Sequence, residues 1–121
     1  MPNINEHMKK YEENRTLLDN ELNIEMCNCY NWIVTIAFYA AMHLVESSLA
    51  VNNIHSKTHI GRNTMIDRMS EFQEIRAQYK FLHDRSVIAR YEAANMNKKK
   101  AVMALGFLNQ IEKKILKPEK E

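Results

Sequence analysis

Apolar residues recur at intervals of three and four along most of this chain, which is the spacing of a single helix face. Two runs show the pattern clearly. The first predicts a helix with one continuous inward stripe, in which the small residues let a neighbouring helix approach closely: Phe72, Ile75, Tyr79, Leu82, Ser86, Ala89 and Ala93. The second predicts a last helix, capped by Asn95 or Asn97, with the stripe Val102, Leu105, Leu108, Ile111 and Ile115.

The first half of the chain predicts three further helices. Residues 30–45 are apolar nearly all round, which is typical of a central helix, and we expect this helix to run over about 26–51. The apolar run at 30–45 is by itself too short to cross a membrane, Asn31, Thr35 and His43 interrupt it, and it ends at Glu46. A first helix over about 5–21 carries Met8, Tyr11, Leu18 and Leu22 near one side. A polar loop at 52–58 precedes a short helix at about 59–69, capped by Ser56 or Thr58.

Composition supports an all-helical reading. The 121 residues include only two Gly and two Pro, and both Pro lie near the ends, whereas sheet proteins draw on these residues for their turns. We therefore predict an all-α fold, an antiparallel bundle of four long helices plus a short one. It forms one domain over residues 1–116, followed by a frayed charged tail at 117–121.

Charge and cysteine content narrow the function classes only slightly. The formal net charge of +2 is too mild to indicate a nucleic-acid partner by itself. Cys27 and Cys29, if helical, point about 200° apart and cannot bridge each other, and they lack the further ligands of a zinc site. They are interpreted as two small buried or half-buried thiols. Free thiols, and the lack of a signal-peptide pattern, favour the cytoplasm.

Three segments together resemble the HEPN superfamily, small helical domains of toxin–antitoxin and defence systems that also occur beside nucleotidyltransferases. They are Phe38-Tyr-Ala-Ala-Met-His43-Leu, then His55-x-x-x-His59-x-x-Arg62, then Tyr79-x-x-Leu82-x-x-x-Ser86 continuing as Ala89-Arg90-Tyr91. The match covers roughly residues 30–116. The resemblance implies a homodimer whose active members cut RNA without metal, using an Arg followed after four to six residues by a His.

Where the resemblance places that motif, this chain departs from it. Arg85 is followed by Arg90 and Tyr91, and no histidine is present there. A guanidinium stays protonated and cannot act as a general base, whereas an imidazole can take and return a proton. If Arg85 heads the motif, the site can hold phosphate but lacks its proton shuttle.

Arg76 and His83 meet the same spacing by count, with six residues between them. On a helix they share a face, roughly 10 Å apart along the axis, and Arg90 falls on the same side. This stripe is a candidate catalytic pair. The alternative is that His83 is a boundary residue that touches solvent and Asp84 or Lys80.

Other histidines are weaker candidates. His59 and Arg62, at a helix start, present cations and free backbone N–H groups to a phosphate. His55 and His59 have the spacing of two metal ligands, but nothing nearby completes a coordination sphere, so no metal and no cofactor is predicted. His43 is interpreted as a hydrogen-bonded core histidine one turn from Glu46 and Tyr39.

The main hypothesis is a HEPN-like homodimeric module with a degenerate motif and no activity of its own. It binds RNA, a nucleotide or a separate nucleotidyltransferase-like protein, and no membrane, through a basic cleft built by Arg62, Arg85 and Arg90, with His59 and Tyr91 beside it. One alternative is an active metal-independent endoribonuclease toxin, with Arg76 and His83, or Arg85 and a partner's histidine, as the working pair. Another is an assembly subunit without a ligand.

Overall fold

A computed structural model describes residues 3–91 and 96–116 and shows an all-helical chain. Within those ranges it contains five α-helices: α1 (Ile4–Asn20), α2 (Tyr30–Val51), α3 (His59–Arg68), α4 (Arg76–Tyr91) and α5 (Lys98–Ile115). A 3-10 helix, Ser70–Ile75, joins α3 to α4. No strand occurs in the described part of the chain. The predicted tail at 117–121 lies outside the described residues.

The central helix is α2, as the apolar run predicted. It contacts α1, α4 and α5. By length and composition it could cross a membrane, but 72% of its most apolar window is buried among the other helices. The large buried side chains Ile33, Phe38 and Leu44 all come from it. The helix is apolar nearly all round because neighbours cover it on nearly every side.

The end of α2 is fixed by its own backbone. Asn53 adopts φ 61°, a left-handed conformation that asparagine tolerates well. The N–H of Asn53 donates to the carbonyl of Ala50, and the N–H of Ile54 donates to that of Leu49. These two bonds satisfy the last carbonyls of the helix in a Schellman motif. The motif turns the chain into the loop at 52–58, which leads to α3.

Helix caps explain where the later helices start. The Thr58 side chain accepts a hydrogen bond from the N–H of Gly61 and begins α3. The Asn97 side chain accepts from the N–H of Lys100 and begins α5. Thr58 and Asn97 were each one of two residues predicted to cap these helices. The alternative for α3, Ser56, donates its hydroxyl to Glu46 instead, and the alternative for α5, Asn95, lies outside the described residues. In both helices the cap satisfies a backbone donor that has no partner inside the helix.

Three sequence predictions about the helices are wrong in detail. The stripe from Phe72 onward is not one α-helix, because Phe72 and Ile75 belong to the 3-10 segment and α4 begins only at Arg76. The second helix begins at Tyr30 rather than near residue 26. Val102 is 51% exposed, and the buried face of α5 starts instead with Ala101 and Ala104. These small residues let α5 approach its neighbours more closely than valine would.

Candidate functional site

A buried ion pair anchors α3 to the central helix. Glu46 of α2 and Arg62 of α3 have side chains that are only 5% and 9% exposed, and Arg62 Nε lies 2.5 Å from Glu46 Oε2. The Ser56 hydroxyl donates to the same carboxylate oxygen. Because a buried charge is expensive unless it is paired, Glu46 in an otherwise apolar helix is satisfied by these donors. The pair fixes both the loop and the start of α3 over α2.

The guanidinium of Arg62 also fixes His59, one turn earlier in α3. Arg62 Nη1 lies 2.9 Å from His59 Nδ1. A guanidinium can only donate, so His59 Nδ1 accepts and its proton is on Nε2. Burial, and then the charge of Arg62, lower the pKa of His59, which favours the neutral ring. His59 therefore presents an Nε2–H donor from the exposed start of α3.

His83 of α4 lies beside His59. The two ring centroids are 5.0 Å apart. Both rings pack on Phe38 of α2, at 5.3 Å from His83 and 5.8 Å from His59. His83 keeps 19% of its side chain exposed, and its Nδ1 lies 3.5 Å from Asp84 Oδ1. The contact of His83 with Asp84 agrees with the predicted boundary position of His83. Its contact with His59 was not predicted from the sequence.

Arg90 lies near the same histidines. Its charge is among those that lower the pKa of His59. Its side chain runs back along α4, donating to the Ser86 carbonyl and to the Tyr39 hydroxyl. Its guanidinium carbon lies 5.6 Å from the centre of the Tyr39 ring. All of these partners are neutral, so they orient the positive charge of Arg90 without cancelling it.

We call His59, Arg62, His83 and Arg90 the His/Arg cluster. It brings together residues from α3 and α4 against Phe38 and Tyr39 of the central helix. Its two arginines are both positively charged, and Glu46 neutralises the charge of Arg62. His59 supplies an Nε2–H donor that can be directed at an anion, and the His83 ring lies beside it. The arrangement can therefore bind a phosphate or a similar oxyanion at a partly exposed surface.

Burial also shapes the base of the cluster. Tyr79 of α4 packs on Phe38 with ring centroids 5.6 Å apart, and it is fully buried. Burial raises the pKa of the Tyr79 phenol, so its hydroxyl stays protonated. That hydroxyl has no hydrogen-bond partner of normal geometry among the residues described, although it lies close enough to Arg62 to be influenced by its charge. Tyr79 is a wall of the site rather than a reacting group.

Not every predicted site residue lies in the cluster. His59, Arg62, His83 and Arg90 do. The guanidinium carbon of Arg85 instead lies 5.1 Å from the centre of the Phe81 ring. Phe81 in turn packs edge-on against Phe107 of α5, which places Arg85 on a different flank of α4. Arg85 therefore does not converge with Arg62 and Arg90 as the predicted basic cleft requires.

The other two predicted residues lie at the margins. Arg76 is exposed at the first position of α4, about two turns before His83. Tyr91 is 74% exposed, and its ring centre lies 5.0 Å from the guanidinium carbon of Arg90. Tyr91 therefore extends the cluster outward. Arg76 has no such link to it through a contact between described residues.

A second histidine pair joins α1 to α2. His7 Nδ1 and His43 Nδ1 are 3.1 Å apart, so one of the two nitrogens carries a proton that the other accepts. Burial, and then the charge of His7, lower the pKa of His43 to about 4. Burial also lowers the pKa of His7. His43 is a hydrogen-bonded histidine as predicted, but its partner is on another helix.

No residues in the ranges 3–91 and 96–116 form a group of three or more His, Cys, Asp or Glu side chains able to hold a metal ion. The chain matches no protein-family model and no curated protein.

Proposed function

We propose that this chain is a HEPN-like helical module that binds the phosphate of RNA or of a nucleotide at the His/Arg cluster. The observation that carries the proposal is the position of His59, between the Arg62 guanidinium and the His83 ring. Arg90 adds a positive charge whose hydrogen-bond acceptors are neutral. Charge-assisted hydrogen bonds from such groups are the usual means of holding a phosphate. Tyr91 beside Arg90 offers an exposed ring on which a base can stack.

Binding is favoured over catalysis by the state of His59. Its Nδ1 lone pair is occupied by Arg62, and its other nitrogen carries a proton. As a neutral donor it can bind an anion, but it can accept a substrate proton only after releasing Arg62 or changing tautomer. The motif position that carries the proton shuttle in active relatives of the HEPN type is here Arg90. The proposed module is therefore a binding protein with a degenerate motif.

The oligomeric state and partner belong to the same proposal. The resemblance implies a homodimer with four long antiparallel helices in each subunit. It also implies a separately encoded nucleotidyltransferase-like partner in a toxin–antitoxin or defence setting in the cytoplasm. Large apolar side chains exposed on this chain, including Trp32 and Tyr91, supply contact surface for such association. Sedimentation analysis of the purified chain tests the dimer, and a monomer at high concentration contradicts it.

Fluorescence anisotropy with a labelled single-stranded RNA, in the presence of a metal chelator, tests the binding site. Arg90→Gln should weaken binding about 10- to 150-fold, because one charge-assisted hydrogen bond contributes roughly 1.5–3 kcal/mol. It should also reduce the slope of log affinity against log salt by about one. Arg85→Gln is the matched control, since it removes the same charge from another flank of the same helix. Equal weakening by both variants, or no binding by the wild type, rejects the site.

A metal-independent ribonuclease is the second candidate. It is favoured by one contact, His83 Nδ1 at 3.5 Å from Asp84 Oδ1. A carboxylate on Nδ1 leaves Nε2 free to act as a base. In this candidate His83 works with Arg62 and Arg90 rather than with Arg76 or Arg85. Metal-free RNA cleavage that His83→Gln abolishes and Arg85→Gln does not would establish it, whereas intact RNA with the wild type leaves the binding module.

A further inference from the structure

Cys27 and Cys29 lie in the segment that connects α1 to α2, not on a helix. Because α2 begins at Tyr30, Cys29 is its N-cap residue. The Tyr30 N–H donates to the carbonyl of Asn28 at 2.9 Å, which closes a three-residue turn centred on Cys29. The helical expectation that the two thiols point about 200° apart does not hold in this turn.

The two cysteines are in contact. The backbone N–H of Cys29 donates to Cys27 Sγ at 3.1 Å. The neighbouring Cys27 side chain raises the pKa of the Cys29 thiol. Cys29 therefore holds its proton more firmly than an ordinary cysteine does, and it lies beside the sulfur of Cys27. The Cys29 backbone N–H is directed at Cys27 Sγ, where it can stabilise the negative charge that develops on this sulfur during exchange.

Both thiols open onto a groove of about 650 Å³. Cys27 is half-buried as expected, but Cys29 is exposed, because it lies in the turn before α2 and not on a helix face. The groove is lined by residues 24–30 and by Lys98, the first residue of α5. Lys98 is followed by Lys99 and Lys100 at a helix N-terminus, where positive charges are unfavourable and an anion is favoured. The groove has room for a small molecule with negative groups.

We infer that Cys27 and Cys29 form a redox-active dithiol that reduces low-molecular-weight disulfides carrying carboxylates. The Cys27 thiolate attacks one sulfur of the small disulfide, forms a mixed disulfide and releases the first small thiolate. Cys29 then loses its proton and attacks Cys27 Sγ, which releases the second. Two protein thiols and one small disulfide thus become one protein disulfide and two small thiols. The small disulfide is the oxidant, and the cysteine pair is oxidised.

The product disulfide is expected to be easily reduced again. Its ring encloses only three residues, and it lies in an exposed turn, so it departs from the relaxed geometry that two more distant cysteines reach. Strained and exposed disulfides have the more oxidising potentials and are the labile ones. The pair is thus suited to reversible exchange rather than to permanent cross-linking.

Intact-mass spectrometry of the reduced protein after incubation with glutathione disulfide tests the inference. The wild type should lose two hydrogen atoms, retain no glutathione, and recover its mass after treatment with a reductant. Cys29→Ser lacks the resolving thiol and should retain one glutathione on Cys27. Cys27→Ser should react more slowly than Cys29→Ser. Circular dichroism of each variant checks that the fold is retained.

The role of Lys98 is tested by comparing two small disulfides. Lys98→Gln should slow the reaction with glutathione disulfide about two- to fivefold, the effect of one nearby unit charge in water. It should not slow the reaction with cystamine, a cationic disulfide. The inference is overturned if the wild type accumulates a stable mixed disulfide, or if it reacts no faster than a variant lacking both cysteines. Equal slowing with both disulfides would remove Lys98 from the site.

Discussion

Breaking the ion pair between Glu46 and Arg62 should destabilise the protein more than any other change of one charge. Glu46→Gln keeps the size of the side chain but leaves the Arg62 guanidinium without its carboxylate in a site where only 9% of that side chain is exposed. The Ser56 hydroxyl loses the charged acceptor that it shares with Arg62. The loop at 52–58 and the start of α3 then lose their common anchor on the central helix.

The expected loss is about 3–5 kcal/mol in the free energy of unfolding, since removing one partner leaves a buried charge uncompensated. That is a large part of the roughly 5–15 kcal/mol that stabilises a typical domain. For a chain of 121 residues, 1 kcal/mol corresponds to about 4 °C in Tm. Glu46→Gln should therefore lower Tm by about 12–20 °C. Replacing both residues together, Glu46→Leu with Arg62→Met, should lose much less.

Urea denaturation followed by circular dichroism measures these values, with Glu46→Leu, Arg62→Met and the double variant forming a mutant cycle. Glu74→Gln is the control, because Glu74 pairs with Lys114 at 3.7 Å but is 75% exposed. An exposed pair should contribute less than about 1 kcal/mol. If Glu46→Gln loses no more than Glu74→Gln, the ion pair does not anchor α3 and the account of the site is wrong.

Three further predictions concern the rest of the bundle. The free energy of unfolding should be greatest above the ordinary histidine pKa of 6.5 and should fall by about 2 kcal/mol as pH drops toward 4, because His43 takes a proton more readily in the unfolded chain. His43→Asn should flatten the slope of the urea midpoint against pH. Tyr11→Phe removes the 2.6 Å hydrogen bond from the Tyr11 hydroxyl to Glu112, which joins α1 to α5. Urea denaturation should show a loss of about 1–3 kcal/mol in the free energy of unfolding, whereas no loss would mean that water replaces Glu112 as the partner of the hydroxyl. Asn97→Ala should lose about 1 kcal/mol with the N-cap of α5 while Asn97→Asp retains it, and equal stability of the two in thermal melts would contradict the cap.

Helix periodicity predicted the all-helical fold because burial of one stripe is a local property of the sequence. The central position of α2 followed from its apolar run, and all but a few of its positions from Ile33 to Leu49 are indeed buried. Element ends were harder to predict. Phe72 and Ile75 keep the helical spacing although they lie in a 3-10 segment, because both helix types bring residues three apart to the same side. Val102 was misplaced because two alanines compete with it for the inner face of α5.

The candidate site was predictable only where its residues share one helix. His59 and Arg62 were predicted to lie together at the start of α3, and they do, although His59 accepts a hydrogen bond from Arg62 as a neutral ring instead of presenting a second cation. The contact between His59 and His83 depends on how α3 packs near α4, which no local pattern encodes. Arg85 and Arg90 were assigned to one cleft by resemblance, although an ideal helix separates them by about 140°. The pairing of His7 with His43 was also not predicted, because it depends on how α1 packs against α2.

The most direct test of the central claim is to follow the five histidines by nuclear magnetic resonance while phosphate, and then a mononucleotide, is added. Because His59 and His83 lie in the His/Arg cluster, their imidazole resonances should shift with a saturable dependence on ligand concentration. His7 and His43 are paired to each other between α1 and α2 and sense the charge of Arg62 through space, so their resonances should move less at constant pH and serve as the internal control. Shifts of His59 and His83 that Arg90→Gln weakens and Arg85→Gln leaves unchanged are the predicted result. Equal small drifts of all the histidines, or no shift of His59 and His83, would contradict anion binding at this site.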